Sequence, residues 1–332
     1  TAATPFPIGA FSACTGAEPP VPATDLLLSE IVVTPTGGEF VEIYNPTSLT
    51  VDLSDVYLTD ATFAGGGTYY YNIVTGTNAG GGGFGDFHAR FPDGASIAAG
   101  EFQTVALAGS GGFFTEHSID PTYELFEDDA AADVIPDMRE ALAGSINGQG
   151  GLTNSGEVVI LYEWDGESDL VQDIDYVVWG DKAEAVDKNG VSIDGPDADG
   201  DSSFYPDETP FALQDVVATG GHASGQSFQR IDFTEGAEAQ SGGSGVAGDD
   251  ETSEDLSATW TQAVSTPGAE PPPPPPSDWV INEILADPAS GLAGDANGDG
   301  TQNFSQDEFV EILNNSGVAA DISGWTLSDA VG

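Results

Sequence analysis

The chain has 332 residues, 39% of them hydrophobic, enough for one large domain or two smaller ones with their own cores. Its 56 acidic residues face only 5 basic ones, a net charge of −51 that is spread along the chain and argues against binding to nucleic acid phosphates or anionic membranes, which would find few cations here. Cys14 is the single cysteine, so neither an internal disulfide nor a cysteine metal cluster can form, and no apolar run reaches the roughly 18 residues of a membrane-spanning helix.

Residues 1–24, rich in Pro, Ala and Thr, read as an extended arm. A start at Thr1-Ala2-Ala3-Thr4-Pro5 reads as a mature N-terminus left by signal-peptide removal, which implies an extracellular protein, secreted or held at the cell surface. Phe11-Ser12-Ala13-Cys14 has the outline of a lipoprotein cleavage box, but no hydrophobic signal core precedes it. Cys14 is expected to be a buried small residue or a thiol paired with another chain.

From Leu26 the pattern alternates with period two: Phe40, Glu42 and Tyr44 fall on one side, Val41, Ile43 and Asn45 on the other, and Asn45-Pro46 closes the strand. Further strands are predicted at 99–108, 156–163 and 170–179, with Asp165-Gly166 as a hairpin corner. Pro136 to Gly144 is the helical candidate, with Pro near its start and Gly at its end. Short strands, regular turns and little helix predict an all-β sandwich. Long segments at 62–98, 181–224 and 235–255 interrupt it; their Gly-rich runs lack the Lys and Ser/Thr of a phosphate loop. Six prolines at 271–276 form a semi-rigid spacer of roughly 20 Å and mark a domain boundary.

Across that boundary the chain repeats itself. Leu28-Ser29-Glu30-Ile31, Glu39-Phe40-Val41-Glu42-Ile43, Asp52-Leu53-Ser54 and Leu58-Thr59-Asp60-Ala61 return as Ile281-Asn282-Glu283-Ile284, Glu308-Phe309-Val310-Glu311-Ile312, Asp321-Ile322-Ser323 and Leu327-Ser328-Asp329-Ala330. Aligned from Glu39 and from Glu308 without a gap, roughly half the positions are identical, so the two stretches are copies of one structural unit.

These motifs resemble the lamin tail domain, an immunoglobulin-like β-sandwich of nuclear lamins and of many secreted bacterial proteins. In the first unit the resemblance continues through Gly151 to Val159 and Asp173 to Tyr176, and closes at Gln226 to Arg230, Trp260-Thr261 and Thr266-Pro267-Gly268-Ala269. Between the arm at 1–24 and the proline linker at 271–277 it implies a sandwich with long insertions at 25–270, and after the linker the opening strands of a second sandwich at 278–332. It also implies non-catalytic modules, often attached to secreted nucleases, phosphatases or surface proteins, with no shared active site. The second copy stops at Gly332, after its opening strands, so its sheet is expected to be completed by further chain or by another chain.

Two acidic loops are candidate Ca²⁺ sites. In the first, Asp295, Asn297, Asp299, Thr301 and Asn303 present side-chain oxygens at alternate positions, Gly300 permits the sharp turn, and Asp307 follows the twelfth position, Gln306, in the pattern of EF-hand and dockerin loops. In the second, Asp197, Asp199 and Asp201 alternate, Asp194 precedes them and Glu208 stands twelfth, but Gly200 is misplaced for the standard loop. Glu127-Asp128-Asp129 reads as solvated charge. His88, His117 and His222 read as loop histidines without the paired spacing of a zinc site, and no Gly-x-Ser-x-Gly elbow marks a serine hydrolase. Tyr69, Tyr70 and Tyr71 read as a strand edge packed on the core, with a glycan-binding surface as the alternative.

The expectation is therefore a non-enzymatic structural or adhesive protein, stabilised by Ca²⁺. Its partners would be other protein subunits or cell-surface and matrix components, with a homopolymeric filament built by strand exchange as the specific version. The alternative is an accessory region of a larger secreted hydrolase, a nuclease or phosphatase with its catalytic domain beyond residue 332.

Overall fold

The computed structural model describes residues 26–83, 85–128, 134–148, 151–234, 239–270, 279–315, 319 and 322–328. The N-terminal arm with Cys14, Asp129, the proline run and, in the second copy, Asp321, Asp329 and Ala330 lie outside them. The chain divides into two compact units between Pro271 and Pro272.

In the first unit the strands run β1 (Leu27–Val32), β2 (Phe40–Tyr44), β3 (Val51–Asp52), β4 (Val56–Thr59), β5 (His88–Arg90), β6 (Ser96–Ile97) and β7 (Phe102–Ala106). There follow β8 (Tyr123–Glu124), β9 (Arg139–Glu140), β10 (Gly156–Glu163), β11 (Gln172–Gly180), β12 (Ser192–Ile193), β13 (Ser203–Phe204), β14 (Gln226–Arg230) and β15 (Trp260–Val264). Two short helices, α1 (Ser110–His117) and α2 (Leu256–Thr259), interrupt them. A six-stranded sheet has the order β15-β14-β1-β2-β7-β8, antiparallel but for the β7–β8 pair, and a five-stranded antiparallel sheet has the order β11-β10-β4-β5-β9. This is an all-β sandwich.

The inner faces meet where β1 and β14 oppose β11. Trp179 packs on Phe228 at 5.5 Å between ring centroids, and Leu28, Ile31, Val41, Ile43 and Val105 join the same core. The alternation read in β2 holds: Val41 and Ile43 enter that core, while Phe40 turns to the other face and packs with Val32, Ala106 and Phe113 of α1.

The predicted strand at 156–163 is β10. Its run Val158 to Tyr162 is fully buried on both faces, which is why it reads as a continuous apolar stretch and not as an alternation. The second cover comes from the insertions. Tyr162 stacks on Tyr57 at 4.9 Å and touches Tyr70 at 5.2 Å, and Tyr176 reaches Gln214 and the backbone of Val186. The part of segment 62–98 that carries Tyr70, and segment 181–224, thus form a third layer over the five-stranded sheet.

Several expectations change. The helical candidate at 136–144 is instead β9 with turns on either side. Arg139 pairs with Arg90 in the sheet and donates from Nε to the Phe91 carbonyl, so tertiary pairing overrides a weak helix signal. Tyr70–Thr75 is a 3-10 helix, not a strand edge, and carries Tyr70 and Tyr71 into the core. His88 is not on a loop: it lies in β5, fully buried, with Nδ1 against the Ala79 carbonyl and Nε2 2.5 Å from the Tyr162 hydroxyl. His222 is buried and accepts from the Val33 amide, and His117 ends α1 with Nε2 on the Gly38 carbonyl. Nor is the acidity all superficial, since Glu30, Glu42, Asp60, Asp173 and Asp175 are among the buried residues.

The second unit contains a two-stranded antiparallel sheet of β16 (Trp279–Leu285) and β17 (Phe309–Asn314). Its register repeats that of β1–β2: Ile281↔Ile312, Glu283↔Glu311 and Ile284↔Val310 stand where Leu28↔Ile43, Glu30↔Glu42 and Ile31↔Val41 stand in the first. A bulge falls at Ser29 in one and at Asn282 in the other. Among the described residues no helix is long and apolar enough to cross a membrane.

Candidate metal centre

Asp169 follows the hairpin corner between β10 and β11, where Asp165 accepts from the amides of Glu167 and Ser168 and so sets the turn. The segment after β12 returns across it. The Gly195 amide donates to Asp169 Oδ1 at 2.7 Å, and a Cβ at Gly195 would lie 2.8 Å from both the Asp169 Cα and the Ser168 carbonyl oxygen, so only glycine permits the approach. Hydrogen bonds from Ser203, then from the Gly195 amide, hold the Asp169 carboxyl below its ordinary range, and it stays ionised.

Through that crossing Asp169, Asp194 and Asp197 each bring one carboxylate oxygen within 4.8 Å of the others, which among the described residues is the one such group of three acids or histidines. Asp199 and Asp201 continue the rim by a ladder in which the Asp199 amide donates to Asp197 and the Asp201 amide to Asp199. A cleft of about 560 Å³ opens beside them, lined also by Ser203 and Ser244. All donors are hard oxygens, which suits Ca²⁺ or Mg²⁺ and not zinc. Asp169 comes from a different hairpin, and no spacing in the sequence joins it to Asp197. Glu208, the twelfth-position residue, is not in this group; it is buried against Lys188 at 3.2 Å and bound to the Ser244 hydroxyl.

The loop after β16 is folded on itself. Asp295 accepts from the amides of Asp299 and Gly300, Asn297 from that of Asp299, and Asp299 from that of Thr301. Asp307, almost fully buried, accepts from the amides of Asn297 and Asn303 and closes the loop in the place a twelfth-position acid would take. Its carboxylates are satisfied by backbone N–H groups and do not converge as the first cluster does.

A second acidic region lines a groove of about 1050 Å³ beside Phe63 and the Gly80–Gly83 run, with Asp86, Glu157 and Glu184 on its wall. Burial, reinforced by neighbouring carboxylates, pushes Glu157 up to about 8 and raises Glu184, and burial alone raises Asp86. Behind them Asp60 is fully buried, its Oδ1 accepting from the Phe87 amide and its Oδ2 without a partner among the described residues. Burial, and then the neighbouring Glu157 carboxylate, also drive Asp60 well upward.

No family model matches the chain and no curated protein matches it. Among solved structures it is similar to the crystal structure of a DUF4876 family protein from Bacteroides thetaiotaomicron, at 14% identity over 75% of this chain and 72% of that one, with a TM-score of 0.39. A likeness at that level carries no argument about function.

Proposed function

We propose that the chain is an extracellular, non-enzymatic structural or adhesive protein built from sandwiches of the lamin tail type, joined by a stiff spacer and rigidified by Ca²⁺. The observation that carries this reading is the second hairpin. Asn282 Nδ2 donates to Glu311 Oε1 just as Ser29 Oγ donates to Glu42 Oε1 in the first unit, so the hairpin repeats down to one side-chain contact. Yet Leu28, Ile31, Val41 and Ile43 are fully buried, whereas their counterparts Ile281, Ile284, Val310 and Ile312 are 56%, 62%, 37% and 42% exposed. Among the described residues this apolar hairpin pairs with no further strand, and strand addition from a neighbouring subunit would supply partners by main-chain pairing.

The acidic loops fit the same reading: cations held by Asp169, Asp194 and Asp197 would pin the insertion to the β10–β11 corner. Electron microscopy and sedimentation of the 332-residue chain in millimolar Ca²⁺ test the proposal. Regular filaments or concentration-dependent oligomers are expected, and a chain that stays monomeric at high concentration with Ca²⁺ removes the strand-exchange reading.

A further inference from the structure

The chain has two lysines, Lys182 and Lys188. Lys188 is wholly buried in the third layer, where its ammonium meets side chains from three other segments. Nζ lies 2.5 Å from Asp173 Oδ2 on β11, 2.9 Å from the Tyr70 hydroxyl and 3.2 Å from Glu208 Oε1. The Tyr70 and Tyr205 rings stand 5.4 and 5.1 Å from it. The Lys188, Asp173 and Glu208 side chains are 0, 1 and 2% exposed, so water does not compete for any of them.

We propose that Lys188 and Asp173 condense to an intramolecular amide, Nζ bonded to Cγ, with Glu208 carrying the proton. The step balances without any other reagent. An ammonium proton passes to Asp173 Oδ2 across the short contact, leaving an amine beside a carboxylic acid. The nitrogen lone pair adds to Cγ and forms the C–N bond. Glu208 takes a proton from that nitrogen and returns it to Oδ2, the Cγ–Oδ2 bond breaks, and one water leaves.

The surroundings bear on each part. Burial disfavours the ammonium, the Asp173 and Glu208 carboxylates beside it more than offset this and hold Lys188 above its ordinary range, and the amine forms as its proton passes to Asp173 across the short contact. Fixed contact makes the attack unimolecular. The Tyr70 hydroxyl donates to Asp173 Oδ1 at 2.6 Å, on the oxygen that becomes the amide carbonyl, where it stabilises the charge that develops during addition. Glu208 Oε1 is held by the Ser244 hydroxyl and Lys188, while its Oε2 is buried without a partner among the described residues and is free to accept a proton. The product ties β11, an edge strand of its sheet, to the insertion that covers it, and closes a loop between residues 15 apart. In a chain with one cysteine it does the work of the disulfide that cannot form.

Intact mass of the denatured 332-residue chain reads the bond directly. The expected mass is lower than that of the sequence by one water. A cyclic imide at an Asp-Gly pair would lose the same mass, so a digest that cuts at acidic residues must also yield a branched peptide joining Lys188 to Asp173. Lys188→Arg keeps a cation but no nucleophilic amine, and Glu208→Gln keeps the shape but removes the base. Both are expected at full mass. A wild-type chain with native β circular dichroism and full mass overturns the bond, as does a water loss that maps elsewhere or persists in Lys188→Arg. Persistence of the branched peptide in Glu208→Gln overturns the role of Glu208.

Discussion

At the scale of the residue, the scarcity of cations decides much. Of five, Lys188 and Arg230 are buried. Arg230 clasps the two sheets: from β14 it donates to the Leu28 carbonyl, to Glu254 at 2.6 Å and to Asp175 of β11 at 2.6 Å, with the guanidinium 5.1 Å from the centre of the Trp260 ring. Arg230→Met would strand two buried carboxylates and is expected to cost about 3–5 kcal/mol. Arg90→Met, which removes the half-exposed pair with Asp55, should cost about 1 kcal/mol or less. Parallel denaturant melts check the contrast, and equal losses would contradict it. Buried acids set the pH dependence. Burial pushes Glu39, Glu42 and Glu157 from 4.5 to about 8, so the folded state holds protons that the unfolded chain releases. Their contribution is complete below 4.5 and is lost as pH rises to about 8. Buried His88, lowered to about 4, acts in the opposite sense only below its ordinary 6.5. The melting temperature is therefore expected to fall from pH 6.5 to 8.5, and less steeply in Glu42→Gln; a flat profile would show these groups to be ionised in the fold.

At the scale of the element, what was legible depended on how local the cause was. The β10 strand was legible to the residue because an apolar run bounded by turns needs no partner to be recognised, and the Asp165-Gly166 corner because its hydrogen bonds are internal. Segment 136–144 was misread because its pairing partner, β5, lies about 50 residues away in sequence. The acidic cluster was half legible: Asp197, Asp199 and Asp201 announce themselves by spacing, while Asp169 joins them only through the close crossing at Gly195. Binding there predicts that Ca²⁺ raises the melting temperature beyond an equal ionic strength of NaCl, with a stability increment of about 2.7 kcal/mol at a hundred times Kd. Asp169→Asn and Gly195→Ala should both reduce that increment, the second by displacing Asp169. An increment unchanged in both would move the ion elsewhere, and the Asp295–Asp307 loop is then the place to substitute.

At the scale of the whole molecule, two units share one hairpin but not one environment. In the first, β14 and β7 pair its edges, and the closing segment donates to its facing acids, from the Thr266 amide to Glu30 and from the Gly268 amide to Glu42. In the second unit the counterpart apolar residues stay exposed. Ile284→Lys with Ile312→Lys should abolish self-association in Ca²⁺ while leaving the melting of the first unit unchanged; retained oligomers in sedimentation would place the contact elsewhere. Composition and alternation by themselves determined the all-β class, because each is a local or periodic property. Only the tertiary structure decided that parts of the long insertions form a third layer, that two of five cations lie inside it and between the sheets, and that Lys188 meets Asp173 and Glu208. Those contacts join residues from different segments, and the desolvation that gives them their chemistry exists only once the layers have closed.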